Sequence, residues 1–260
     1  MSNEGQVTQA VDGHVLRIGI DRPEKRNSLT PEMMRGLADA FDRLQNDPDL
    51  RAGVLYGVGG NFTSGLDLPK FVPVMSGAAP APVYEGIDPL QLKNRLTKPL
   101  IGAASGFVFT VGIELLLGCD VVVAADDAVF GQLEPSRGIM PSGGATVRWV
   151  QQVGWGNAMR YLLTAERFGS AEALRIGLVQ EVTPNGSELS RAMAIAATIA
   201  RNAPLAVQAT KASALLYLSQ GEQSAFSALG KAQAALAKSE DVMEGVAAMT
   251  QRRDPEFRGR

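Results

Sequence analysis

The chain has 260 residues, 45% of them hydrophobic and 20% charged, with a formal net charge of −2. That length supports one large domain or two small ones around a sizeable core, and the near-neutral balance implies no general attraction to nucleic acid or to an anionic membrane. The single cysteine, Cys119, excludes an intrachain disulfide and a multi-cysteine metal site and fits a reducing, cytoplasmic setting. The single histidine, His14, excludes Ser-His-Asp and Cys-His catalysis and a His-rich metal centre. Acid–base work in this chain falls to carboxylates, lysine or tyrosine.

The N-terminal MSNEGQVTQAVDG is polar and has no apolar signal core. Residues 6–21 read as a hairpin about Asp12-Gly13, with His14 at the surface of the turn. The loop RPEKRNSLT puts Arg22, Lys25 and Arg26 close together, which reads equally as a solvated loop or as an anion clamp. Thr30 as N-cap and Pro31 at the first helical position open a helix with the stripe Met34, Leu37, Ala38, Phe41, Leu44, ended by Asp47-Pro48. RAGVLYGVG is a strand running into a glycine turn. GVGGNFTSGLDL matches a dinucleotide fingerprint only superficially, because Phe62 stands at the third glycine and no helix follows at once. It leaves a turn whose backbone N–H groups are available to a ligand at Ser64 to Leu66. Residues 69–95 carry Pro69, Pro73, Pro80, Pro82 and Pro89, so they read as a lid or pocket wall with some helix near Leu90 to Leu96. Phe71, Val74, Met75 and Tyr84 either line an apolar pocket or pack back on the core.

Lys98 to Gly144 is the longest apolar region, and it holds two acids, Glu114 in VGIELLLG and Glu134 in FGQLEPSRG, 20 positions apart. Buried carboxylates are costly unless paired or hydrogen-bonded, so two of them here point to chemistry. Taken singly, Glu114 also reads as a helix-start carboxylate facing solvent, and Glu134 as a turn residue before Pro135. Residues 99–125 mimic a membrane span, but Gly102, Gly106, Gly112 and Gly118 break the run and a strand-like VVVAA ends it, so the segment reads as buried core. FVFTVG leads to a short helix that leaves free N–H groups around Val111 and Gly112. Asp67, Cys119 and Asp120 read as structural. Two helices follow, broken at Gly154 to Gly156, then SAEALRIG, a helix capped by Ser170 and stopped by Gly177, and the strand LVQEVTP. From Gly186 onward four Ala-rich helical patterns remain. They divide the chain into a core, residues 1–195, and a helical region, residues 196–260, packed on that core or on another subunit.

Four segments, RPEKRNSLT, FTSGLDL, SGFVFTVGIELLLGCDVVVAADDAVFGQLEPSRGIMPSGG and SAEALRIGLVQEV, resemble the crotonase superfamily, the enoyl-CoA hydratase/isomerase family, in their order and spacing. The resemblance extends over residues 8–257. It implies an α/β fold: a spiral of repeated ββα units forming two roughly perpendicular sheets, then a helical region that makes a homotrimer or a dimer of trimers. The partner is an acyl-CoA thioester, with coenzyme A as part of the substrate and no separate cofactor or metal. By position, Glu114 and Glu134 match the two catalytic glutamates, and Leu66 and Val111 match the residues whose N–H groups form the oxyanion hole. Lys25 and Arg26 match the loop near the CoA phosphates. Ser64, Leu66 and Leu68 match the segment along the adenine and pantetheine, and Met249 and Arg252 match C-terminal positions that close the CoA site in some members. The chain departs from the family's usual residues at Thr110 and Val111 (two glycines), Leu133 (proline) and Leu66 (alanine). Two acids favour hydration of a trans-2-enoyl-CoA to a 3-hydroxyacyl-CoA: one accepts a proton from water and the other delivers one to C2. An isomerase needs only one carboxylate. An enoyl-CoA isomerase, a dehalogenase, a thioester hydrolase and an inactive acyl-CoA-binding member remain the alternatives.

Overall fold

A computed structural model of the chain describes residues 4–260. Strands β1 (Gln6–Asp12) and β2 (Val15–Asp21) form the expected hairpin, with Asp12 opposite Val15. Apolar residues dominate β2, and Val15, Leu16, Ile18 and Ile20 are buried, while β1 is mostly exposed and forms the sheet edge. Strands β3 (Ala52–Gly57), β4 (Leu100–Ala104), β6 (Val121–Ala125) and β9 (Glu181–Thr183) join in parallel, giving the order β1-β2-β3-β4-β6-β9. A second sheet holds β5 (Phe107–Phe109), β7 (Val129–Gly131) and β8 (Phe168–Gly169) in the order β5-β7-β8.

Parallel neighbours need a crossover, and the chain after β3, β4 and β6 is built in a similar way. β4 passes into β5 of the small sheet and then into helix α3 (Val111–Leu116). β6 passes into β7 and then a 3-10 turn at Pro135–Arg137. β3 is followed by Thr63, bridged in parallel to Val108 of β5, and then by α2 (Leu68–Met75). Each winding thus serves both sheets before its helix, which is the ββα repeat that the family resemblance implies.

The main core lies inside this winding. Helix α1 (Pro31–Asn46), capped by Thr30 Oγ1 accepting from Met33 N at 3.2 Å, buries Met33, Leu37, Phe41 and Leu44. Trp149 of α4 (Ala145–Val153), Tyr161 of α5 (Trp155–Thr164) and Phe168 pack as an aromatic group with Phe130. Helix α6 (Ser170–Ile176) ends at Gly177, as its left-handed φ of 83° requires. A second core lies on another part of the large sheet, where Val54, Ile101 and Val123 meet Ala192, Ala196 and Ala200 of α7 (Glu188–Ala200). Residue 195 lies inside this helix. Helix α8 (Pro204–Leu236), interrupted at Gly221 (φ 80°, ψ 175°), and α9 (Glu240–Gln251) complete the four helical segments after Gly186. Among the described residues no helix is long and apolar enough to cross a membrane.

The structure corrects the sequence reading at two places. No helix forms at Leu90 to Leu96. The Asp88 carboxylate accepts from the N–H groups of Leu90, Leu92 and Lys93, and Gln91 takes a left-handed φ of 52°, so the chain turns instead of coiling. Ser170 does not cap α6: Gly169 holds the cap position, and the Ser170 hydroxyl donates to the Asp126 carbonyl at 2.8 Å.

The alanines at 192, 196 and 200 recur every four residues and let α7 sit close on the strands. Ala196→Leu should overpack that face and cost about 1–3 kcal/mol. Ala197→Leu, on the exposed side of the same helix, should stay within about 0.5 kcal/mol of wild type. Urea unfolding of the two variants checks this.

Candidate active site

One cavity of 630 Å³ opens between α1, α2, the 81–94 loop, α3 and the 134–143 segment. Glu114 and Glu134 both line it, as do Leu66, Val111 and Leu68. Phe71, Met75 and Tyr84 line it too; Val74 does not.

Glu114 stands in the first turn of α3 and is only 4% exposed. Its Oε1 accepts from Gly143 N at 2.7 Å and Ala145 N at 3.3 Å, at the N-terminal end of α4. Those donors favour the ionised form. Burial works against them, as does the nearby charge of Glu134, and together these push the Glu114 pKa from 4.5 to about 7. Gly143 must be glycine for this contact: a Cβ there would stand 2.3 Å from Glu114 Oε2 and 2.8 Å from Leu90 Cδ1. Glu134, also buried, accepts at Oε1 from Gln132 Nε2 at 2.9 Å, while its Oε2 has no partner among the described residues. Burial raises its pKa as well, against the opposing pull of the Gln132 hydrogen bond and the Arg137 charge. Two neighbouring carboxyl groups that both resist ionisation can hold one proton between them and divide the work of acid and base.

The backbone supplies the other half of the site. Thr63 N donates to Phe107 O and Phe109 N to Thr63 O, so Thr63 is bridged in parallel to Val108; Gly65 lies against Thr110, and Leu66 and Val111 both reach the cavity. Leu29 takes the inward-facing groups on either side of Leu66: Leu29 N donates to Gly65 O, and Asp67 N donates to Leu29 O. By strand alternation the Leu66 N–H points the other way, and neither it nor the Val111 N–H donates to a protein acceptor among the described residues. Gly65, at φ 109°, allows the close approach, since a Cβ there would lie 2.5 Å from Thr110 Oγ1. Thr110 is itself held at φ 53°, its N–H bonded to Gly131 O, as the chain turns from β5 into α3. Strain of this kind in a β-branched residue gathers at functional sites.

Lys25, Arg26 and Ser64 meet outside the cavity: Ser64 N donates to Arg26 O at 2.9 Å, and its hydroxyl lies 3.4 Å from Lys25 O. Lys25 and Arg26 are exposed and form no ion pair among the described residues, although Arg26 stacks on Phe107 at 5.2 Å. Arg22 is not part of an open cluster; it is buried and paired with Asp67 at 2.8 Å, which fixes the turn before α2. Met249 and Arg252 do not line the cavity of their own chain, and Met249 is 75% exposed at the end of α9. His14 is an exposed turn residue whose Nδ1–H donates to the Asp49 carbonyl at 2.7 Å. Asp120 accepts from Leu100 N and Lys211 Nζ, a structural tie between α8 and the sheet.

Sequence reasoning missed Gln132, the N–H donors of Gly143 and Ala145, and Arg148. Arg148 donates to Leu90 O at 2.8 Å and Gln91 O at 2.6 Å, pinning the cavity wall to α4. The glycine pair before α4 was the one available signal, a close approach before a helix start.

A site with two carboxyl groups facing two unpaired backbone N–H groups is equipped to move protons beside a carbonyl whose oxygen gains charge. Residues 11–260 match the enoyl-CoA hydratase/isomerase family. The chain is 38% identical to enoyl-CoA hydratase EchA19 of Mycobacterium tuberculosis, over 95% of this chain and 94% of that protein. It is 36% identical to 2,3-dehydroadipyl-CoA hydratase of Escherichia coli, over 95% and 96%. The crystal structure of a probable enoyl-CoA hydratase/isomerase from Mycobacterium abscessus superposes with a TM-score of 0.95 at 47% identity, covering 98% of both chains. The chain belongs to the enoyl-CoA hydratase/isomerase family, and its fold is the crotonase fold.

The Glu114 shift makes stability depend on pH. Between about 4.5 and 7 the folded chain keeps a proton that the unfolded chain has lost, so stability falls as pH rises through that window. The loss from this group alone is about 3 kcal/mol. Glu114→Gln removes the titrating group, so denaturant midpoints from pH 4.5 to 8 should fall less steeply for the variant than for wild type.

Proposed function

We propose that this chain is an enoyl-CoA hydratase that adds water across the 2,3 double bond of a trans-2-enoyl-CoA. The observation that carries the reading is the convergence of Glu114, Glu134 and the free N–H groups of Leu66 and Val111 on one cavity. The thioester oxygen accepts from those two N–H groups. As hydroxide adds at C3, negative charge moves through C2 to that oxygen, and each donor contributes about 3 kcal/mol at that moment. Glu114, with two backbone N–H donors favouring its charge, takes the proton from water. Glu134, with Oε2 unpartnered, carries the proton that reaches C2. The relatives, named as hydratases of different enoyl thioesters, support the same reaction. Coenzyme A enters as part of the substrate; Lys25 and Arg26 suit its phosphates, and Ser64, Leu66 and Leu68 suit the chain leading from them to the thioester.

The same reading includes assembly into trimers or a dimer of trimers. Exposed apolar side chains on α8 and α9, among them Phe226, Leu229, Met243 and Val246, support contact with further copies. In such an assembly α9 is the element able to carry Met249 and Arg252 toward a neighbour's coenzyme A.

Loss of enoyl-thioester absorbance with trans-2-enoyl-CoA substrates tests the reaction. Glu114→Ala and Glu134→Ala should each lower kcat by about 10²–10⁴-fold, and the double variant by much less than the product of the two. Wild type that binds but never consumes these thioesters would sink the hydratase reading. A Glu134→Ala enzyme that still migrates a double bond would point to an isomerase. Light scattering should give three or six times the 27.5 kDa chain mass; a monomer at working concentration would refute the assembly.

A further inference from the structure

The cavity is larger than the reaction needs. Lys25, Arg26 and Ser64 do not line its 630 Å³, so the phosphate end of coenzyme A lies outside it, and Leu66 and Leu68 mark where the thioester arm enters. At about 30 Å³ for each water-sized group, it has room for about 20 non-hydrogen atoms. The chemistry occupies only the thioester carbonyl, C2 and C3, and a four-carbon acyl group would leave most of the cavity to water against apolar walls.

The walls indicate what fills the rest. Phe71, Leu90 and Ile139 line the same cavity as the two glutamates. Met75, Val83, Leu92 and Met140 ring it, and they are 51%, 89%, 52% and 67% exposed. A cluster of exposed apolar side chains around a concave site marks a surface that meets an apolar partner. One wall is held in place: Asp88 gathers the N–H groups of Leu90, Leu92 and Lys93, and Arg148 grips the carbonyls of Leu90 and Gln91. The space is therefore kept open by dedicated contacts and is not a gap left by loose packing.

We infer that the acyl group this chain selects is bulky and apolar, about ten carbons or more, and that Met75, Val83, Leu92 and Met140 cover its far end. The inference rests on the reading of Leu66, Val111, Glu114 and Glu134 as the reacting end of the same site. Continuity of the rim with that cavity is what assigns it to the substrate and not to another protein.

Calorimetric binding of the saturated thioesters butanoyl-CoA and decanoyl-CoA tests the space without any reaction. Decanoyl-CoA should bind about 100-fold tighter or more, since six further methylenes leave water. The kcat/KM for trans-2-decenoyl-CoA should exceed that for crotonyl-CoA by a similar factor. Val83→Asp and Met140→Asp, at side chains too exposed to matter for folding, should each cut the binding ratio about tenfold. Equal or weaker binding of decanoyl-CoA overturns the inference. So do rim variants that keep the ratio and change the mass by light scattering, which would make the rim a contact between copies. Tight decanoyl-CoA binding with no hydration of any enoyl-CoA upholds the inference and removes the hydratase reading. Hydration with crotonyl-CoA preferred does the reverse.

Discussion

A carboxylate taken out of water must find its hydrogen bonds in the protein or give up its charge. Glu114 does some of each, and the geometry around it follows. Its donors are the N–H groups of Gly143 and Ala145, so the segment after the 3-10 turn at Pro135–Arg137 must fold back over α3 and begin α4 there. The approach is close enough to exclude a side chain at position 143, and Leu90 lies over the same backbone. Arg148, one turn into α4, then holds Leu90 and Gln91 by their carbonyls. The support of the acid and the support of the cavity wall are thus one structure. Displacing α4 would loosen both.

The cavity end at Leu66 and Val111 depends on the sheets in a different way. Leu66 and Val111 both reach the cavity because Thr63 is bridged to β5 by two ladder hydrogen bonds and Gly65 lies against Thr110. Leu29 takes the remaining polar groups of the GLD turn, and the buried Arg22–Asp67 pair locks it from the other side. The donors are thereby left pointing into the cavity with no protein partner, and a rigid sheet pays the cost of that preorganisation during folding and not during turnover. The left-handed Thr110 is the local strain in this arrangement, sustained because its N–H is fixed to Gly131 and its carbonyl to the start of α3.

Much of this was legible in the residues. The β1–β2 hairpin, the Thr30 cap, the β3, β4 and β6 strands and the four terminal helical segments follow from period, cap and turn chemistry, because each is decided by neighbours close in sequence. Glu114 and Glu134 stood out because a charge in an apolar run is costly wherever it is found. What joins them was not legible. The donors to Glu114 come from residues 29 and 31 positions away and are backbone groups, which carry no sequence signature. The turn at Leu90 to Leu96 was misread for a similar reason: Leu, Gln and Lys favour helix, but Asp88 collects three N–H groups of that segment and Arg148, 57 and 58 positions on, takes two of its carbonyls. Arg22 looked like its neighbours Lys25 and Arg26 until its own burial against a partner 45 positions away separated them.

The departures at Leu66, Thr110, Val111 and Leu133 bear on function through the same distinction between backbone and side chain. A backbone N–H does not depend on the side chain, so Leu or Val in place of a small residue keeps the N–H and changes only the space beside it. Leu66 and Val111 both line the cavity, where their side chains shape the room near the two carboxyl groups. Leu133 turns away into a buried contact with Gly131, leaving the Glu134 carboxyl to be placed by Gln132 and by the turn that follows. A chain can therefore diverge at these positions in what it accepts while the charge-stabilising atoms stay where the fold puts them. In the proposed reaction, selectivity falls to side chains on the winding loops, and the chemistry to the backbone of the sheets and two carboxyl groups anchored to it.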